Sequence, residues 1–271
     1  MPSASSSVHI GVFDSGVGGL TVLRALVREC PAAAFTYVAD AGHAPYGERD
    51  EAHVRERSRR IAAHLRERGC DALVVACNTA TAAAIDELRE RHAGWTIVGV
   101  EPGLKPAAAL TRNGRVGVMA TPSTLRSPRF ARLARLARRY AAGVDLHVRA
   151  CAGLASAIED GDLRSPALRA EVERHAAPLR DAGCDVVVLG CTHYPFAAPL
   201  FEQALGPGVT LVDTADAVAR HVASRVGGAV ADGAGARSGP VALRTSGDVQ
   251  RLAAFARRWL DFECDARAVD L

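Results

Sequence analysis

Apolar residues in this chain gather in short runs, and the stretches between those runs carry helical spacing. Val8 to Phe13 is such a run, closed by Asp14-Ser15-Gly16-Val17-Gly18-Gly19; Leu20, Leu23 and Val27 then recur at helical intervals. The pattern predicts a strand, a tight glycine loop and a helix. Phe35 to Ala39 predicts the next strand, ending at Asp40. A loop from Ala41 to Gly47 then leads into a helix with Val54, Ser58, Ile61 and Leu65 on its buried face, stopping at Gly69. Strand 72–76, a loop at Cys77, helix 80–91 and strand 96–100 follow. From Arg115 the sequence restarts with strand 116–119, a helix through about Tyr140, strand 144–149, helix 166–182, strand 186–189, a loop at Cys191, a helix near 196–204 and strand 209–212.

This restart is a duplication. Gly69-Cys70-Asp71-Ala72-Leu73-Val74-Val75-Ala76-Cys77-Asn78-Thr79 returns as Gly183-Cys184-Asp185-Val186-Val187-Val188-Leu189-Gly190-Cys191-Thr192-His193, and the same offset pairs Val54, Ala62 and Leu65 with Leu168, Ala176 and Leu179. Alternating strands and helices of these lengths predict an α/β fold of two pseudo-symmetric, doubly wound parallel-sheet domains facing a shared active-site cleft. Pro102, Gly103 and Pro106 interrupt the pattern and place the boundary near 100–106. Residues 1–100 with 213–271 are expected to form the first lobe and 101–212 the second, helices near 215–226 and 249–260 and a Gly/Ala-rich stretch up to Gly239 packing back on the first lobe.

Composition narrows the class. With 271 residues, 49% hydrophobic and 23% charged, the chain has ordinary globular usage, and a net charge of +3 lacks the footprint of a dedicated nucleic-acid binder. No apolar stretch has the length a membrane span needs, and Met1 to Ser7 is polar with no leader pattern, so a cytoplasmic location is expected. Seven cysteines, an odd number in a chain of this size, point to reduced thiols, and without CxxC or HxxxH spacing no metal site is expected.

Cys77 and Cys191 each fall after a buried strand and before a helix, where free N–H groups favour an anion and hence a thiolate. Cys70 and Cys184 lie inside apolar segments as small hydrophobes, and nothing recommends Cys30 or Cys264. His193 follows Cys191 closely enough to share its cleft and join in proton transfer, and Asp14 is the matching polar group of the first lobe. The Asp14 loop lacks the GxGxxG and Walker spacings, and its amides suit a carboxylate as well as a phosphate. Ser15, Asn78, Thr79 and Thr192 are short neutral donors of the kind that hold an amino-acid carboxylate. Lys105 is the sole lysine among 33 basic residues and sits between prolines in a linker, which argues against a pyridoxal phosphate Schiff base. Arg126, Arg129, Arg132, Arg135, Arg138 and Arg139 fall mainly along one helical face, by default a solvated one.

Four motifs in order, Asp14 to Val22, Pro45-Tyr46-Gly47, Ala76-Cys77-Asn78-Thr79-Ala80 and Gly190-Cys191-Thr192-His193-Tyr194-Pro195, together resemble the bacterial glutamate racemases over nearly the whole chain, including Ser246-Gly247-Asp248. The resemblance implies a two-lobed, cofactor-free enzyme that supplies D-glutamate for peptidoglycan and is commonly a homodimer. It implies that Asp14, Ser15, Tyr46, Gly47, Asn78, Thr79, Thr192 and His193 contact glutamate. Cys77 and Cys191 would be the acid/base pair, Cys77 with Asp14 acting on D-glutamate and Cys191 with His193 on L-glutamate. Glu159 would assist near the second thiol, although Ala152 stands in its segment where the family commonly has proline. Two rival readings are an aspartate-specific racemase and a binding protein, such as a topoisomerase regulator contacting gyrase or nucleic acid through the arginine face.

Overall fold

The computed structural model describes residues 7–227 and 239–271. Met1 to Ser6 and most of the Gly/Ala-rich stretch lie outside the described residues. Ten strands are present among the described residues: β1 His9–Asp14, β2 Ala34–Ala39, β3 Ala72–Val75, β4 Thr96–Gly99, β5 Arg115–Ala120, β6 Asp145–Ala150, β7 Val186–Gly190, β8 Thr210–Val212, β9 Val241–Thr245 and β10 Asp265–Ala268. They form two wholly parallel sheets, one ordered β10-β9-β2-β1-β3-β4 and the other β6-β5-β7-β8. The blocks β2-β1-β3-β4 and β6-β5-β7-β8 share one winding order, so the duplication in sequence is a duplication in topology. Even a close contact repeats. A Cβ at Gly11 would lie 3.1 Å from Leu65 Cδ1, and one at Gly117 3.0 Å from Leu179 Cδ1, so each lobe leaves its first strand bare where the equivalent leucine presses on it.

Strand faces alternate as the pleat requires. Ile10 and Val12 pack toward the helix Leu20–Glu29, whereas Phe13 belongs to the core beneath the helices Glu51–Glu67 and Asn78–Arg91. A third core lies under the helices Leu104–Leu110 and Pro128–Tyr140 of the second lobe. The lobes differ in one respect that the repeat does not show: Leu65 is buried in the second of these cores, but its counterpart Leu179 is buried in the first, which runs continuously from one lobe into the other.

Several elements depart from the expectation. The helix through Tyr140 is two helices, Pro122–Arg126 and Pro128–Tyr140; Thr121 and Ser127 cap them with their hydroxyls ahead of Pro122 and Pro128. The proposed linker carries the helix Leu104–Leu110. β9 and β10 lie outside the predicted elements, because β9 alternates buried and half-buried positions around Arg244 instead of forming an apolar run, and β10 is a mostly exposed edge strand held by backbone pairing. The arginine face is exposed except at Arg129, which crosses to Asp86 at 2.9 Å and to Glu101 at 2.6 Å. No helix among the described residues is long and apolar enough to cross a membrane.

A buried polar cluster ties the C-terminal arm to the first sheet. Asp40, fully buried at the end of β2, accepts from Arg57 Nε and Nη2 at 2.9 and 2.8 Å, from the Tyr46 hydroxyl at 2.5 Å and from Ser246 Oγ at 2.7 Å. Burial opposes its charge, but these donors hold its carboxyl below the usual carboxylate value. Its contribution to stability is therefore full above the unfolded value of about 3.9 and is lost as pH falls through the folded one. Arg57→Leu is expected to cost about 3–5 kcal/mol by leaving the carboxylate unpaired. Urea unfolding across pH 3 to 6 should show this part of the acid-side slope in the wild type and its loss or reversal in the variant.

Candidate active site

The carboxyl ends of both sheets open onto one cavity of about 250 Å³, where parallel α/β sheets usually bind ligands. Ser15, Tyr46, Gly47, Cys77, Asn78 and Thr79 reach its wall from the first lobe; Glu159, Cys191, Thr192 and His193 reach it from the second. Asp14 is the exception among the residues singled out from sequence. It is fully buried behind the wall, accepting from the Thr192 hydroxyl at 2.8 Å, the Gly16 amide at 2.8 Å and Ser15 Oγ at 3.1 Å. Lys105 is not among the lining residues and lies 4.8 Å from the centre of the Tyr140 ring.

The two thiols are held by different means. Cys77 caps the helix Asn78–Arg91, its sulfur accepting from the Ala80 amide at 3.4 Å, so the helix terminus faces it as expected. Cys191 has no such helix. Pro195 and a 3₁₀ turn at Tyr194–Ala197 delay the following α-helix to Ala198, and His193 Nδ1 stands 3.8 Å from the sulfur instead. Burial, then the neighbouring Asp14, pushes the Cys77 thiol up to about 12, against the pull of the Ala80 amide. Burial also pushes Asp14 itself up, although His193 and its hydrogen-bond donors oppose this.

His193 is 5% exposed and would lose its proton to burial alone. Hydrogen bonds to Cys191 and to Glu159 outweigh burial and hold its pKa well above the ordinary histidine value. The Glu159 carboxylate receives His193 Nε2 at 2.8 Å. Burial opposes its charge too, but His193, Arg251 and the Val17 amide keep it below the usual glutamate value. His193 and Glu159 thus stand behind Cys191 as a pair in which each favours the charged form of the other.

The glycine loop is shaped by this pair. A Cβ on Gly18 would sit 2.4 Å from His193 Nδ1 and 2.5 Å from Thr192 Oγ1, and one on Gly16 would sit 2.9 Å from Glu159 Oε2. The loop amides face the protein's own carboxylates: Gly16 donates to Asp14 at 2.8 Å, and the Val17 amide favours the ionised form of Glu159. Tyr37 secures the loop by donating to the Gly16 carbonyl at 2.7 Å. Across the cavity Thr79 Oγ1 meets Thr121 Oγ1 at 3.0 Å and Thr124 Oγ1 at 3.3 Å, and Gly47 leaves room for Thr121. The Asn78 carbonyl oxygen is buried with no partner, and Tyr46 spends its hydroxyl on Asp40.

Sequence reasoning passed over Thr121, Cys151 and Arg251, all of which line the cavity. Thr121 and Cys151 follow the ends of β5 and β6, the strand-end signal already used for Cys77 and Cys191. Burial pushes Cys151 up to about 12. Arg251 arrives from the C-terminal helix Val249–Trp259, which no strand-end rule would single out. Among the described residues, no group of three or more His, Cys, Asp or Glu side chains could hold a metal ion.

Two equally wound lobes that each present a thiol to a common cavity define the class of two-lobed α/β racemases, which are isomerases. A model of the Asp/Glu/hydantoin racemase family matches residues 10–222. A glutamate racemase of Pseudomonas paraeruginosa is 51% identical over 219 residues, 81% of this chain and 82% of that protein, and one of Pseudomonas putida is 49% identical over 224 residues, 83% of each. Among solved structures, glutamate racemase isoform RacE1 of Bacillus anthracis superposes with a TM-score of 0.87 at 31% identity over 99% of each chain. Escherichia coli glutamate racemase, solved with L-glutamate and the activator UDP-MurNAc-ala, gives 0.80 at 32% identity over 96% of this chain and 99% of that one. The chain belongs to the Asp/Glu/hydantoin racemase family, and within it to the glutamate racemases.

The close approach at Gly18 gives a direct test. Gly18→Ala is expected to lose about 1–3 kcal/mol of stability through overpacking and to lower racemisation more than tenfold, because His193 is a ring that cannot yield by rotating a flexible end. Denaturant unfolding and a racemase assay measure both. Wild-type values for this variant would show that the lobes do not meet here.

Proposed function

We propose that this protein interconverts L- and D-glutamate by two cysteines acting on opposite faces of Cα. The observation that carries the reading is the placement of Cys77 and Cys191, one after each of the equivalent strands β3 and β7, on the wall of one small cavity. Acting on L-glutamate, Cys191 as thiolate takes the Cα proton and becomes a thiol, while Cys77 gives its own proton to the other face and is left as thiolate. The opposite reaction uses the same groups in exchanged roles. His193, protonated and backed by Glu159, faces the anion on Cys191. A buried Cys77 thiol keeps its proton until the carbanion forms, and its thiolate is then a strong base for D-glutamate; Asp14 behind it orients Ser15 and Thr192.

Substrate groups have matching partners. The unpartnered side-chain oxygen of Asn78 suits the ammonium, as do the lone pairs of the Ser15 and Thr192 hydroxyls, whose protons go to Asp14, and backbone amides at the strand ends suit the carboxylate, whose charge grows as Cα loses its proton. Tyr46 and Gly47 wall the cavity, and a water-poor site strengthens each of these interactions. The reaction assigned here draws on side chains alone. By its resemblance to bacterial glutamate racemases, the product is assigned to peptidoglycan synthesis in the cytoplasm and the assembly to a homodimer.

In heavy water with no added cofactor, D-glutamate formed from the L-form is expected to carry solvent deuterium at Cα; product that keeps its original proton would contradict two opposed bases. Cys77→Ser and Cys191→Ser are each expected to reduce turnover by about 10²–10⁴-fold while unfolding as the wild type does. Assayed side by side, glutamate should far exceed aspartate. Comparable rates would move the reading to a broader amino-acid racemase.

A further inference from the structure

The line of contacts behind Cys191 does not stop at Glu159. Arg251 Nη2 lies 3.2 Å from Glu159 Oε1, and the same guanidinium bonds Asp160. Cys191, His193, Glu159 and Arg251 therefore form one continuous sequence of contacts at 3.8, 2.8 and 3.2 Å. Its last member comes from the helix Val249–Trp259, which packs on β9, β10 and the helix Leu20–Glu29 of the first lobe, whereas the other three belong to the second.

We propose that Arg251 is a positioning residue for proton transfer at Cys191: it reaches across the junction between the lobes, fixes Glu159, and through it fixes His193 against the sulfur. The proposal rests on the two-thiol reading above.

Arg251 is well placed to do this. Its amide is capped by Asp248 at 3.2 Å, which fixes the first turn of its helix. Upstream, Ser246 is tied to buried Asp40 at 2.7 Å. Downstream, Phe255 and Trp259 hold the ring of Phe196 at 5.0 and 4.7 Å between centroids, and Phe196 lies in the segment that carries His193. The helix is thus anchored beside the catalytic segment by aromatic packing, independently of the arginine.

The location also separates a kinetic role from a structural one. The Arg251 side chain is 49% exposed and Glu159 only 13%. An ion pair open to water adds little to stability. The inner carboxylate is sheltered, however, and a cation on its outer oxygen favours the ionised form that His193 needs. Loss of Arg251 should consequently appear in catalysis and hardly at all in folding.

A racemase offers an unusual readout. Its substrate and product are mirror images, the equilibrium constant is one, and kcat/KM must fall equally in both directions whichever residue is changed. The proton transfer that has slowed is revealed by isotope effects. Arg251→Met and Arg251→Gln are expected to lower kcat/KM about tenfold with unchanged unfolding midpoints. The primary isotope effect should rise with Cα-deuterated L-glutamate, whose proton Cys191 removes, and fall with Cα-deuterated D-glutamate, whose proton Cys77 removes. Arg251→Lys should restore most of the rate. Isotope effects that stay unchanged, or that shift together, in either variant would overturn the proposal. Wild-type protein that fails to wash solvent deuterium into product would instead overturn the two-thiol reading, so the two failures are told apart.

Discussion

The hydrogen bond from the Thr192 hydroxyl to Asp14 is buried, 2.8 Å long, and spans 178 residues of chain and two sheets. A hydrogen bond to a charged group contributes about 1.5–3 kcal/mol, and a buried carboxyl deprived of it would cost comparably. It can form only if the loop after β1 lies against the loop after β7, and that loop is glycine at 16, 18 and 19 because His193, Thr192, Glu159 and the base of Asp14 occupy the space a side chain would need. The contact brings the loop that carries Cys191 and His193 against the first lobe, where Cys77 stands at its own helix terminus. Gly16 and Gly18 serve interlobe packing, and Gly19 the packing of the loop on its own sheet, rather than the phosphate cradle that such a loop usually suggests.

Duplication produced the two thiols, but the lobes have diverged in how they hold them. Cys77 relies on a helix terminus, a fixed array of backbone donors. Cys191 relies on an imidazole and a carboxylate, which can exchange protons. The divergence extends to the cores, where equivalent helices are buried against different neighbours. Mirror-image substrates place no demand for identical surroundings on the two bases; each needs only to reach one face of the same carbon.

The C-terminal arm belongs to this arrangement as much as the two repeats do. It adds β9 and β10 to the first sheet, closes the polar cluster around Asp40, and delivers a cation to the rear of the second thiol. Tyr46 joins that cluster to the cavity wall, so the site is supported on one side by a network whose members lie up to 206 residues apart in sequence.

What the chain determined locally was readable from residue order alone. Buried parallel strands made of Val, Ile and Leu, helices with apolar repeats and glycine stops are set by neighbours within a few positions, and the two cysteine motifs declared themselves because each was a copy of the other. Strand-end placement likewise brought Ser15, Asn78, Thr79, Thr192 and His193 to the cavity. Other features depended on partners remote in sequence. β10 has no apolar signature and exists through pairing with β9; Asp14 is drawn behind the wall by Thr192; Arg251 becomes part of the site only when its helix crosses to Glu159. Side-chain spacing along a chain encodes which face of an element is apolar, but not which distant charge or hydroxyl that element will meet once two lobes close on each other, and that is what only the tertiary structure decided.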